Sequence, residues 1–112
     1  MDMLKYINRY EYRTHTSFID EWDLGLYPNI YVFDTGEFVT WGTHKSQDYI
    51  DIGPTSCEWQ KAYNYIAEIA RKKGIHYVIT CTVRNPKAYA RLTHSVIVGH
   101  DGDLYFFKKE VK

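Results

Sequence analysis

Residues 55–74, "TSCEWQKAYNYIAEIARKKG", carry the pattern that most narrows what this chain can fold into. Trp59, Ala62, Tyr63, Ile66, Ile69 and Ala70 recur at helical spacing and form one apolar stripe, with Lys61, Asn64, Glu68 and Arg71 outside it. Thr55 followed by Glu58 predicts a capping box at the start, and Gly74 after the basic turn "RKK" predicts the stop. Strand-like runs lie on both sides. "YIDIGP" precedes the helix, and "IHYVITCTV" follows it, nearly continuous in its apolarity, as expected of a central strand covered on both faces. A helix that crosses between two strands of one sheet makes those strands parallel neighbours. The expectation is therefore that residues 49–54 lie beside residues 75–83.

The remaining chain fills in around that unit. Residues 1–13 alternate loosely like a strand, although Leu4, Ile7 and Tyr10 would also line a helix; the strand is the preferred reading. Thr16 or Ser17 then caps a short helix closed by Gly25 and Pro28. "NIYVFDTGEFVTWGTHKSQDYIDIG" reads as a three-stranded antiparallel meander, turning at Asp34, Thr35 and Gly36 and again at the polar break from Lys45 to Asp48. Beyond the central strand, Asn85 caps a helix with Pro86 in its first turn and Ala88, Tyr89 and Leu92 facing inward. Asp101 and Gly102 sit between two strand-like runs and predict a closing hairpin. With no repeat or linker, the 112 residues read as one domain, 1–112, with element order β-α-β-β-β-α-β-α-β-β.

Composition bounds the function. The chain is 45% hydrophobic and 17% aromatic, enough for a real core. Lys plus Arg and Asp plus Glu both number 14, so the overall charge favours neither a phosphate backbone nor an anionic membrane, and nucleic acid is not the expected partner. No window approaches the ~20 apolar residues of a membrane span, and the start has no signal-peptide stretch. A cytoplasmic protein is expected. Cys57 and Cys81 lack a CxxC or a nearby His, and the five histidines show neither HxH nor HExxH spacing, so no metal is expected. Cys57 near a helix start occupies a position that lowers thiol pKa. No Walker, GxSxG or Rossmann pattern occurs.

Three antiparallel strands, a helix, a buried strand, an Asn-initiated helix and a closing hairpin together resemble the GNAT superfamily of acyl-CoA-dependent N-acetyltransferases. "IDIGP" (Ile50, Ile52, Pro54) is similar to the family's strand ending, and "NPKAYARL" (Asn85, Ala88, Leu92) to its Asn-initiated helix. The resemblance implies an α/β (α+β) fold, with a mixed sheet built from an antiparallel N-terminal meander, a central splayed parallel pair and a C-terminal hairpin. It also implies acetyl-CoA as cofactor and an amine, on a small molecule or a protein, as acceptor. The pantetheine arm would enter between the splayed strands, and the pyrophosphate would rest on amides at the start of the following helix. Carried onto this chain, the cofactor-binding residues are Ile52, Glu58, Trp59, Gln60, Lys61, Ala62 and Asn85. Here the family's Arg/Gln-x-x-Gly-x-Gly/Ala reads "CEWQKA", in which only Ala62 survives.

Catalytic candidates follow from the same resemblance. Where the family places a Tyr eight positions after the helix-initiating Asn, this chain has Thr93, with His94 next; His94 could act as an acid near neutral pH and Thr93 could hydrogen-bond. Asp51 could take the proton of an incoming amine, or it could simply be the polar side of a half-buried strand that it shares with Tyr49 and Gly53. A rival reading keeps the scaffold without the cofactor, as a binding or virion-associated protein similar to phage-encoded GNAT-like proteins. Its protein partner would meet Tyr6, Tyr10, Tyr12, Tyr27, Tyr31, Trp22 and Trp41.

Overall fold

A computed structural model describes residues 26–82 and 85–111. The strand and helix expected before Leu26 lie outside the described residues, as does Val83. The meander forms as expected. β1 (Asn29–Val32), β2 (Phe38–His44) and β3 (Tyr49–Thr55) pair antiparallel, and the polar break between the last two is a short 3-10 turn, Lys45–Gln47. There follow α1 (Trp59–Lys73), β4 (Tyr77–Thr82), α2 (Pro86–Thr93), β5 (Val96–Asp101) and β6 (Leu104–Glu110). One mixed six-stranded sheet results, in the order β1-β2-β3-β4-β6-β5, with β3 and β4 its parallel pair.

α1 packs its stripe on the sheet through Ala62, Tyr63, Ile66, Ala67 and Ala70, against Val39, Trp41, Ile50, Ile52 and Val78. Gly74 ends the helix in the left-handed conformation (φ 70°), its amide donating to Ala70 and Arg71 carbonyls. The start differs from the capping-box expectation. Glu58 is the N-cap and makes no side-chain cap bond, because β3 runs on through Thr55, whose hydroxyl donates instead to the Gly53 carbonyl. A motif that matches a cap in sequence is overridden here by strand pairing.

The face of the sheet that carries α1 also carries α2, since Tyr89 of α2 packs on Phe107 at 4.7 Å and approaches Trp59 of α1 at 6.4 Å. We call this the near face. The inward residues of α2 are not those expected: Leu92 is 70% exposed and Ala88 is exposed, while Tyr89 and Thr93, one turn apart, turn to the sheet. The Asn85 cap, which accepts from the Ala88 amide at 3.1 Å, sets that phase.

β4 also differs. Its burial alternates, with Val78 and Thr80 buried on the near face and Tyr77 and Ile79 only half-buried on the other, so it is not covered equally on both sides. Among the described residues both helices lie on the near face, and the far-face side chains of β4 and, up to Lys108, of β6 are half-buried. Around β2, by contrast, Phe38 and Thr40 are fully buried as well as Val39. Gly42 shows how tightly that end is packed: a Cβ there would lie 2.0 Å from the Leu26 carbonyl oxygen. No helix among the described residues is long and apolar enough to cross a membrane.

Candidate functional site

The parallel pair is short. Tyr49, Ile50 and Asp51 register with Tyr77, Val78 and Ile79, and there the pairing stops, although β3 continues to Thr55 and β4 to Thr82. At its start the pair is pinned by Asp48, itself left-handed (φ 63°), whose carboxylate accepts from the His76 amide at 2.8 Å and lies 3.0 Å from the His76 ring nitrogen. Past Ile79, β4 remains bonded to β6 (Thr80 to Phe107, Cys81 to Phe106, Thr82 to Tyr105), while β3 remains bonded to β2, with Ile52 opposite Trp41 and Thr55 opposite Val39. Each strand follows its other neighbour, and a gap opens between them.

On the near face, helices start just beyond both strands. From the first comes Trp59, its ring 5.5 Å from Tyr63 and 6.4 Å from Tyr89; from the second comes Tyr89, whose hydroxyl lies 3.3 Å from the Thr80 hydroxyl. The two rings therefore meet across the gap. At the end of α1 the first turn closes with the Ala62 amide on the Glu58 carbonyl, which directs the amides of Trp59, Gln60 and Lys61 out of the helix end. Lys61 there bonds Glu37 of the β1–β2 turn at 2.7 Å and lies 4.5 Å over the Phe33 ring, while Gln60 donates to Asn64.

On the far face, the alternation of β3 holds as expected: Ile50, Ile52 and Pro54 are buried against the near side, and Tyr49, Asp51 and Gly53 face away. Asp51, at the last registered position before the gap, lines a groove of about 330 Å³ together with Tyr49, Ile79, Val98, Gly99 and Phe106. Burial pushes its carboxyl up to about 6, against a smaller opposing pull from His44. His44 stacks on Tyr49 at the rim, 4.7 Å between rings.

The sequence candidates thus divide into groups. Trp59 faces the gap, Ile52 and Ala62 are buried in the core beside it, Glu58 is the N-cap of α1, Gln60 bonds Asn64, Lys61 turns to the β1–β2 turn, and Asp51 stands at the far mouth. Asn85 caps α2 on the β4 side. Thr93 is buried, its hydroxyl donating to the Tyr89 carbonyl at 2.8 Å. His94 is the exposed left-handed residue that ends α2, its carbonyl accepting from Lys109. Five residues escaped the sequence reading: Tyr89, Glu37, Val98, Gly99 and Phe106. Tyr89 was legible only as core, although its place four after Asn85 puts it on the face of Thr93. Glu37 and the groove residues of β5 and β6 leave no local signal, because only the sheet order brings them to the site.

Two expectations are corrected here. Cys57 is not activated by the nearby helix end: burial, aided by the Glu37 charge, pushes its thiol up to about 11. Trp41 is not a surface ring but a core residue, 8% exposed and packed in the cluster beneath α1; Tyr27 packs on Gly53, while Tyr31, stacked on Tyr65 at 4.3 Å, is exposed as expected. Tyr6, Tyr10, Tyr12 and Trp22 lie outside the described residues.

No family model matches the chain, and no curated protein matches it. Solved structures do. A Klebsiella pneumoniae protein assigned as an acyl-CoA N-acyltransferase aligns over 97% of this chain and 89% of its own, with a TM-score of 0.61 at 10% identity. A Listeria monocytogenes acetyltransferase of the GNAT family aligns over 97% and 86%, TM-score 0.54 at 11% identity. A Bacillus cereus acetyltransferase aligns over 95% and 89%, TM-score 0.51 at 14% identity. Likeness at these identities is one of architecture, and what it establishes is that the chain has the GNAT fold.

Proposed function

We propose that the protein transfers an acyl group from an acyl-CoA to an amine. The observation that carries this reading is the gap itself: a parallel pair that parts after three registered positions, with a helix start beyond each strand and a carboxylate at the far mouth. The donors suit the cofactor. Backbone groups of residues 52–55 that face away from β2 can bond the amides of a pantetheine arm, and the α1 amides with Lys61 suit phosphate oxygens. When bound, the cofactor supplies an activated acyl thioester. Asn85 holds the second helix start in place beside it.

In this reading Asp51 receives the proton of the incoming amine, for which a carboxyl raised by burial is better matched to neutral pH than an ordinary one. On the other side of the gap, the Tyr89 hydroxyl, held by Thr80, is the group best situated to give a proton to the departing thiolate. Thr93 supports it by fixing the Tyr89 backbone, and His94 stands further along the helix as the alternative acid.

A second reading is supported by the near mouth. Trp59 and Tyr89 meet across it, and Lys61 already has a carboxylate partner, as in a scaffold that has turned from cofactor binding to protein binding, the virion-associated role among others. Calorimetry with acetyl-CoA separates the two. Acyl transfer predicts saturable binding by the natural chain, tightened about tenfold by Trp59→Ala or Gln60→Gly as the cradle is relieved of bulk. No heat at millimolar ligand from any of the three would overturn it in favour of the second reading.

A further inference from the structure

The groove around Asp51 has an asymmetry that bears on what it accepts. It crosses four strands: Tyr49 and Asp51 come from β3, Ile79 from β4, Phe106 from β6, and Val98 and Gly99 from β5. At roughly 4.8 Å per strand the crossing is about 14 Å long. Among its described lining residues the ionisable side chains are at the β3 end, where the Asp51 carboxylate and the Tyr49 phenol stand; the others, Ile79, Phe106, Val98 and Gly99, are apolar.

Two features keep the distant end apolar and open. The pairing of β5 with β6 slips between Ile97 and Gly99, and the irregularity leaves Val98 53% exposed at the groove wall rather than tucked into the ladder. Gly99, opposite Phe106, adds no side chain, so the ring of Phe106 is not covered from that side. Adjoining it across Val98 is a second groove of about 310 Å³ lined by Tyr77, Val96, Lys108 and Glu110, in which Lys108 sits 4.0 Å over the Tyr77 ring. That cation lies over β4, close enough to act on Asp48, and Glu110 of the same second groove offsets it, so the charge that a ligand in the first groove meets is the Asp51 carboxylate.

We infer that this groove binds a primary amine carried on an apolar, flat body, with the ammonium at Asp51 and the body lying over Ile79 and Phe106 toward Val98. The inference rests on the acyl-transfer reading for its place in a reaction, since it names the acceptor class of that site. The groove is open to solvent, so its lining and not its volume sets the ligand class: one carboxylate beside a run of hydrocarbon and aromatic surface suits an arylalkylamine. The ammonium gains a charged partner that burial has stripped of water, and the ring gains apolar contact; a hydroxyalkylamine would satisfy only the first of these.

The test is a heteronuclear NMR titration of the full chain, without acyl-CoA, using three probes: phenethylamine, ethanolamine and 2-phenylethanol. Phenethylamine should bind at least about tenfold more tightly than either of the others, because each lacks one of the two contacts. Asp51→Asn should weaken it by a similar factor, and so should Val98→Lys, a change at an exposed position that the fold tolerates while placing a cation against the ligand body. Equal affinity for phenethylamine and ethanolamine, or an Asp51→Asn chain that binds phenethylamine unchanged, overturns the inference. Failure here and failure of acyl transfer are distinguishable. A chain that binds acetyl-CoA and treats the two amines alike loses only the acceptor assignment, whereas one that selects phenethylamine but takes no acetyl-CoA keeps the groove and loses the reaction.

Discussion

Asp51 is a carboxylate held where its charged form is poorly solvated, and that has a measurable signature. Its folded-state pKa, about 6, lies above the ordinary 3.8, so the folded chain holds the proton more tightly than the unfolded one. Stability must therefore fall as pH rises from about 4 to about 6 and then level off, the reverse of the usual carboxylate behaviour. Asp51→Asn should remove that fall and raise the thermal midpoint at pH 7.5, while lowering kcat/KM by at least about a hundredfold if the residue is the base. Asp48 pulls the other way. Bonds from the His76 amide and ring lower its pKa, so its contribution is present above pH ~4 and is lost as pH falls below it; Asp48→Asn should steepen no neutral-pH loss but should flatten the acid limb of a melting-temperature profile. The face of Asp51 was legible from alternation alone, since Ile50 and Ile52 flank it. Its groove was not, because Val98 and Phe106 arrive from the far side of the sheet through a strand order that no local pattern encodes.

At the scale of elements, both helix ends of interest have a candidate cap in the sequence, but only one is used. Asn85 accepts from Ala88 and Thr55 bonds within its own strand. Asn85→Ala should accordingly cost about 1 kcal/mol by urea denaturation and displace Tyr89, whereas Thr55→Ala should leave α1 unchanged in helicity by circular dichroism. The pattern Thr-x-x-Glu was a fair reading of residues 55–58, but β2 draws β3 onward, with Val39 opposite Thr55 and the Phe38 amide bonded to the Ser56 hydroxyl, and that pairing outcompetes a cap. The stop at Gly74 was fully legible, because a left-handed residue after a basic turn is specified locally. Leu92 was misplaced for the opposite reason: in a helix of two turns the apolar residues are too few to fix the buried face, and the cap phase decides.

Considered as a whole, the sheet is two ladders joined by a seam. β1, β2 and β3 form one, β4, β6 and β5 the other, and the strand-to-strand seam is Tyr49, Ile50 and Asp51 against Tyr77, Val78 and Ile79, bridged by α1. Val78 is 1% exposed at its centre and touches the α1 cluster. Val78→Ala should cost about 2–3 kcal/mol and shift a single denaturation transition without dividing it. Two resolved transitions would mean that the ladders fold separately. This arrangement was foreseen as a parallel pair from the helix between two strands; how soon the pair parts depends on what each strand prefers on its outer side, a tertiary competition invisible in residues 49–54 and 75–83 taken alone.

The bond between Lys61 and Glu37 ties the start of α1 to the tight turn at Asp34, Thr35 and Gly36, where Thr35 also donates to the Glu37 carboxylate. Any anion that settles on that helix start competes with Glu37 for the same ammonium. Arrival of a phosphate would then loosen the hairpin tip, and its departure would retighten it, so that deuterium uptake at the Gly36 and Glu37 amides becomes a remote gauge of whether the helix start is filled.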